Sequence, residues 1–277
     1  MNPSVHRPDG RRIESEIRIS ATPEEVWNAW TDPASISRWF TDDARGKAVP
    51  GGTLVWVFRG FGEMPYPVAV AEPPGRLVLA GEIPGRGPFA LEILIEQAGG
   101  VTTVRLVNSG FREGADFEEE YEGVRSGWDA SLALLRHYLE RHQGETRHAS
   151  LLVRPAVVGA DELYRCFGAA EGLGTWLTSR GALGDTGAPA DLELKDGGRL
   201  TGRVIAATGR EKSVTWEEED GAVLELKGFG AGEKRMVGVR LTTWGPDGTR
   251  LARLERLLTP AVDRLEARLS VEVTTRR

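Results

Sequence analysis

DFEEEYEGVRSGWDASLALLRHYLERH, residues 116–142, decides how the first half of this chain folds. Its apolar residues Tyr121, Val124, Trp128, Leu132, Leu135 and Leu139 follow one another at steps of 3, 4, 4, 3 and 4, which places them on one face of an α-helix. Asp116 followed by Glu119 predicts a capping box, and Glu118, Glu119, Glu120 and Glu122 put negative charge on the first turns. Arg136, His137, Arg141 and His142 put positive charge on the last ones, and Gly144 ends the helix. A long helix with aromatic residues on its buried face needs a broad apolar surface opposite it. The residues upstream of 116 read as a curved antiparallel sheet able to supply that surface, a pairing that suggests a grip on a ligand.

Working back to the start, residues 13–20 alternate as a strand, with Ile13, Ser15, Ile17 and Ile19 on one side. Thr22, Pro23 and Glu25 form a helix start, and Val26, Trp27, Ala29 and Trp30 give that helix its apolar face. Asp32-Pro33 opens a second short helix ending in Trp39-Phe40, and the following residues look irregular as far as Gly51-Gly52. Strands are then expected at 53–59, 66–72, 76–82, 89–97 and 101–108, punctuated by Pro73-Pro74-Gly75, Pro84-Gly85 and Gly99-Gly100. Such short turns allow only antiparallel pairing, so the sheet is a meander. A strand, two short helices, a meander and a long terminal helix make an α+β helix-grip layout.

The pattern then begins again. Residues 149–157 read as a strand, and 161–177 repeat the two-helix segment. One constant shift sets Glu25 on Glu162, Trp27 on Tyr164, Trp30 on Phe167, Trp39 on Trp176 and Phe40 on Leu177 without a gap. Gly51-Gly52 is matched with Gly197-Gly198, and the hairpin at Gly99-Gly100 with Pro246-Asp247-Gly248. Two domains follow, 13–142 and 149–277, joined by a short polar link. The second copy is expected to carry one extra strand and a loop over 222–234, a strand over 250–258, and only a short final helix from Thr259-Pro260.

Composition narrows the function. The chain has 277 residues, 27% charged and 40% hydrophobic, with a net charge of −6. No apolar run is long enough to span a membrane, and the acidic balance argues against nucleic acid as a partner. The opening MNPSVHRPDGRR lacks the apolar core of a signal peptide, so a cytoplasmic location is expected. A single cysteine, Cys166, excludes an internal disulfide and any multi-cysteine metal site. His6, His137, His142 and His148 include no pair at metal-ligand spacing. No phosphate-binding glycine loop and no serine-hydrolase elbow is present, so neither metal nor cofactor is expected.

Several segments together resemble the SRPBCC (START/Bet v1-like) superfamily and, within it, the group similar to the activator of Hsp90 ATPase homologue 1 (AHSA1-like). They are TPEEVWNAWTDPASISRWF at 22–40, GG at 51, VAEPPGRLVL at 70–79, TTVRLVNSGF at 102–111 and GWDASLALLRHYLE at 127–140. The second copy resembles the group mainly through its two-helix segment and strand order. The resemblance implies tandem helix-grip domains, each a curved antiparallel sheet wrapped around a C-terminal helix, with a deep cavity that this superfamily uses for apolar molecules. Some relatives in natural-product pathways cyclise polyketides or intercept reactive products.

The aromatic and aliphatic residues of the first copy are the candidate site. Trp56 and Phe58, then Tyr66 and Val68, then Ile93, then Val104 and Leu106 fall on the inward face of successive strands. Tyr121, Trp128 and Leu132 face them from the helix. Taken singly each is an ordinary core residue. Together they exceed the needs of a solid core and suit an apolar pocket with a few polar handles. The partner expected is therefore a hydrophobic, aromatic or polycyclic small molecule, bound in the first domain. Two alternatives stay open: a cyclase- or hydrolase-like enzyme using Tyr66, Arg59 or Glu63 for acid-base help, and a protein-interaction or co-chaperone-like module.

Overall fold

The computed structural model describes residue 8 and residues 10–83, 85–230 and 235–270, the side chain of Asp116 excepted. It divides into two compact units, residues 1–144 and 145–277. The opening stretch with His6, the turn residue Pro84, residues 231–234 and those beyond 270 lie outside the described residues.

In the first unit β1 (Arg11–Ile19) leads into α1 (Pro23–Thr31) and α2 (Pro33–Ser37). Next come β2 (Asp43–Gly46), β3 (Thr53–Phe58), β4 (Gly62–Glu72), β5 (Arg76–Ile83), β6 (Gly87–Ala98), β7 (Val101–Phe111) and finally α3 (Glu118–Arg141). The strands make one antiparallel sheet in the order β1-β7-β6-β5-β4-β3-β2, so the meander ends beside its own first strand. Ile13, Ser15 and Ile19 are buried while Glu14 and Glu16 are exposed, as the alternation requires. At α1 the capping box forms: Glu25 N donates to Thr22 Oγ1 (3.2 Å) and Thr22 N to Glu25 Oε2 (2.7 Å). Hydrogen bonding to the Thr22 backbone holds the Glu25 carboxyl below its ordinary range.

The 24-residue α3 lies on this sheet and is tied to β1 by Ser15 Oγ, which donates to Asp129 Oδ1 (2.6 Å). It starts differently from the sequence expectation. A 3-10 turn, Ala115–Phe117, takes up Asp116, Phe117 becomes the N-cap, and no side chain caps the first turn. The three glutamates at 118–120 remain there to complement the helix dipole. The stretch before Gly51 is also more regular than expected, since residues 43–46 pair with β3 as β2.

The second unit repeats the plan element by element: β8 (Arg147–Pro155), α4 (Ala160–Arg165), α5 (Ala170–Trp176), β9 (Thr178–Arg180), β10 (Pro189–Leu194), β11 (Arg199–Ala207), β12 (Glu211–Trp216), β13 (Ala222–Phe229), β14 (Met236–Trp244) and α6 (Thr249–Ser270). Its strand order, β8-β14-β13-β12-β11-β10-β9, is that of the first sheet. Individual hydrogen bonds repeat too. Trp39 Nε1 donates to Ala29 O (2.8 Å), and Trp176 Nε1 to Cys166 O (3.0 Å). Both units are thus helix-grip domains of α+β class.

The repetition corrects four expectations for the second copy. Residues 222–229 are no additional strand, because β13 takes the place of β6. The partner of Gly51-Gly52 is Gly187-Ala188: Gly51 N and Gly187 N donate to Val68 O and Val204 O, and those valines donate back to Gly52 O and Ala188 O. Pro246-Asp247-Gly248 connects the last strand to the helix and matches residues 112–117, not the hairpin at Gly99-Gly100.

The largest correction is α6, one continuous helix of 22 residues with Pro260 inside it. Leu251, Leu254, Leu258, Val262, Leu265 and Leu269 step by 3, 4, 4, 3 and 4, the same series as in α3. Residues 250–258 are therefore helical, and the final helix is not short. An interior proline costs about 3 kcal/mol. Five of those six aliphatic side chains are fully buried, each worth roughly 1.5–3 kcal/mol, and Pro260 sits on the exposed face where water can reach the carbonyl left without its donor.

A fragment of residues 1–144 is expected to fold alone, with a cooperative urea transition followed by circular dichroism. A sloping, transitionless trace would show that the first sheet needs the rest of the chain.

Candidate functional site

Along α3 the sealing of helix to sheet is uneven. Leu132, Leu135 and Leu139 are buried, whereas Tyr121, Val124 and Trp128 are only half-buried. Beneath that first half lies a cavity of about 510 Å³, bounded by the β4 start, the β5–β6 turn, the β6 start, the β7 end and α3. Its walls are chiefly apolar: Tyr66, Phe89, Leu91, Phe111, Val124 and Trp128.

Of the ten residues singled out in the sequence, Tyr66 and Trp128 stand on this wall. Trp56, Val68, Ile93, Val104, Leu106 and Leu132 pack into the interior beneath it, all 2% exposed or less. Phe58 packs edge-on against Phe40 (centroids 5.4 Å apart). Tyr121 turns to β1, where its hydroxyl donates to Arg12 O (2.9 Å) and the Arg11 guanidinium covers its ring (3.7 Å). Strand alternation identifies the inward face but not where along it the helix stands off. Of the wall residues missed in the sequence, Phe89, Phe111, Arg86 and Arg112 sit at or beside strand ends, and Phe117 and Glu120 at the start of α3. Asn108 did carry a signal. It is the polar member of the inward series Val104, Leu106, Asn108.

The polar groups of the wall differ in kind. Trp128 Nε1 donates to Asn108 Oδ1 (3.0 Å), and Asn108 Nδ2 donates to Ala90 O (3.2 Å), so the amide is fixed at both ends. Trp128 also stacks on Phe40 (5.8 Å) beside Trp30 (6.3 Å). Tyr66 lies against Trp56 (4.2 Å) and Phe89 (5.7 Å), and its hydroxyl reaches only the weak acceptor Met64 Sδ, at 3.9 Å. Burial pushes its phenol up to about 12. At the rim Glu63 is bonded to Arg45, which holds the Glu63 carboxyl below its ordinary range. Arg86 pairs with Glu120 (2.8 Å), and the Arg112 guanidinium lies over the Phe117 ring (3.9 Å).

Two glycines shape the region. Gly110, on the wall, has φ +99°, and a Cβ there would sit 2.2 Å from Pro88 O, so β6 and β7 can close only around glycine. Gly127, one residue before Trp128, has no such reason, since a Cβ there would meet nothing within 4 Å. Among the described residues no three His, Cys, Asp or Glu side chains are grouped to hold a metal ion, and no helix is long and apolar enough to cross a membrane.

Residues 20–140 match the model of the family described as activator of Hsp90 ATPase homolog 1-like protein, an SRPBCC-type family. The first unit belongs to it. The chain is similar to the Aha1 dimer from Colwellia psychrerythraea, with 27% identity over 49% of this chain and 100% of that one at a TM-score of 0.44. It is also similar to DynU16, a putative protein in the dynemicin biosynthetic locus (18% identity, 94% and 99% of the two chains, TM-score 0.43). A third is the di-domain ARO/CYC BexL from the BE-7585A biosynthetic pathway (12%, 95% and 99%, TM-score 0.44). No curated protein matches.

Relative to the AHSA1-like unit, the second copy has its wall positions filled. With Val68 set on Val204, Tyr66 falls on Gly202, where a Cβ would lie 2.0 Å from Thr215 O. The cross-strand pair Gly81 and Phe89 becomes Trp216 and Ala222. Asn108 becomes Leu241, and the matched helix steps set Trp128 on Leu258. Trp216, Ala222, Leu241 and Leu258 are all members of one buried core cluster.

Alkaline titration followed at 295 nm should show one phenolate forming only near pH 12 in the AHSA1-like unit, absent from Tyr66→Phe. Its appearance near pH 10 would mean that water reaches Tyr66 freely.

Proposed function

We propose that the first domain, residues 13–142, binds a hydrophobic, aromatic or polycyclic small molecule between α3 and the sheet, and that the second, residues 149–277, is a structural partner. The observation that carries this reading is the cavity itself: about 510 Å³, walled by aromatic rings, with a few fixed polar groups. Small-molecule sites fall in the range of roughly 300–1,000 Å³ with this mixture of surfaces. The occupant is held and shielded from water, which suits biosynthesis, transport or self-resistance involving an apolar or reactive product.

The geometry favours holding over acid-base chemistry. Tyr66 stays protonated far above neutrality, and Glu63 is kept ionised by Arg45, so neither is poised to exchange a proton near pH 7. Arg59 is not on the wall.

Trp128→Ala should weaken binding of the neutral probe N-phenyl-1-naphthylamine by roughly ten- to a hundredfold, the contact area of an indole at about 25 cal/mol per Å². Its stability loss in urea should stay below the ~3–5 kcal/mol of an aromatic truncated in a solid core. The opposite ranking would place the indole in the core. Calorimetry with the same probe should give one site per chain, and two equivalent sites would refute the structural role of the second domain.

A further inference from the structure

Resting on the cavity reading just given, we infer that the ligand is a neutral aromatic molecule bearing a carbonyl-type oxygen, and that this oxygen accepts a hydrogen bond from the Tyr66 hydroxyl. The inner end of the cavity is short of acceptors. Besides Met64 Sδ, Tyr66 has no hydrogen-bond acceptor among the described residues, and the indole N–H of the adjoining Trp56, buried just beneath, has none either. The two other polar side chains nearby are already satisfied: Trp128 donates to Asn108, and Asn108 donates to Ala90 O. A buried donor without a strong acceptor loses its hydration for little return, and a ligand oxygen at Tyr66 restores the bond. Because the phenol stays protonated to about pH 12, it is a donor under all physiological conditions.

Charge decides which oxygen. The carboxylates of Glu63 and Glu120 are matched by Arg45 and Arg86, and the remaining wall charges, Glu82 and Arg112, are exposed at the rim. The two wall cations are already engaged, Arg86 by Glu120 and Arg112 by the face of the Phe117 ring. A carboxylate carried inward would be stripped of water with no counter-ion, whereas a ketone or quinone oxygen needs only the one donor.

Three tricyclic probes separate these cases: 9-fluorenone, fluorene and 9-fluorenecarboxylate, each competed against N-phenyl-1-naphthylamine on the full chain. Fluorenone should bind roughly three- to tenfold tighter than fluorene, the span of one neutral hydrogen bond, and the carboxylate weakest. Tyr66→Phe should remove the advantage of fluorenone while leaving fluorene within about twofold of its wild-type affinity, which also shows that the variant is folded. A fluorenone advantage that survives in Tyr66→Phe, or a carboxylate that binds tightest, overturns the inference while the cavity reading stands. Equal binding of fluorenone and fluorene by the wild type overturns it in the same way. If the naphthylamine itself does not bind, the cavity reading falls and the inference with it.

Discussion

Everything in the first unit depends on how α3 closes against its sheet. The last half of the helix is sealed by Leu132, Leu135 and Leu139, close-packed aliphatic side chains that bring helix and strands together. The first half carries Tyr121 and Trp128, and the larger side chains hold the helix off. Trp128 acts as a strut, pinned to Asn108 at its nitrogen and stacked on Phe40 along its face. In α6 the same six helix positions are all aliphatic, and Leu254 and Leu258 are buried where Val124 and Trp128 are not. One fold thus yields an open grip and a filled one, according to the side chains in the first half of its helix.

The polar inventory of the cavity follows the same economy. Its interior offers a neutral donor and an amide already engaged, and its charges stand at the rim, mostly in pairs exposed to water. Exposed pairs of this kind are screened by water and add little to stability, so they shape the entrance more than they stabilise the fold. More buried aromatic surface lies in the cluster of Trp30, Trp39, Phe40 and Trp56, whose rings meet at centroid distances of 4.8 to 6.4 Å.

Much of this architecture is legible in the sequence. The capping box of α1, the alternation in β1, the meander and the α3 stripe are all found in the structure, whereas the capping box expected at Asp116 is displaced by a 3-10 turn. The α6 stripe has the same period. Leu251, Leu254 and Leu258 suit a helix, but matching Pro246-Asp247-Gly248 to the Gly99-Gly100 hairpin demands a strand after it, and Thr259-Pro260 then looks like a fresh helix start. Matching Gly51-Gly52 by composition failed for a related reason, since what repeats is a pair of backbone hydrogen bonds, made equally well by Gly187-Ala188. The cavity was hardest to read. Trp56, Ile93, Leu106 and Leu132 share a face with it, but depth along that face depends on where the helix departs from the sheet, which Phe89, Phe111 and Arg86 border from strand ends and turns.

Gly127 bears on how such an enclosed space exchanges its contents. Glycine within a helix costs about 1 kcal/mol relative to alanine, and no close packing here requires it. The turn that carries Trp128 therefore combines weak intrinsic helicity with side chains that remain half-buried, while the distal turns are anchored in the core. Local opening takes place where the fewest buried contacts are lost. The first half of the helix is thus held by fewer buried contacts than the Leu132 to Leu139 segment, and any local opening of α3 is expected to begin there.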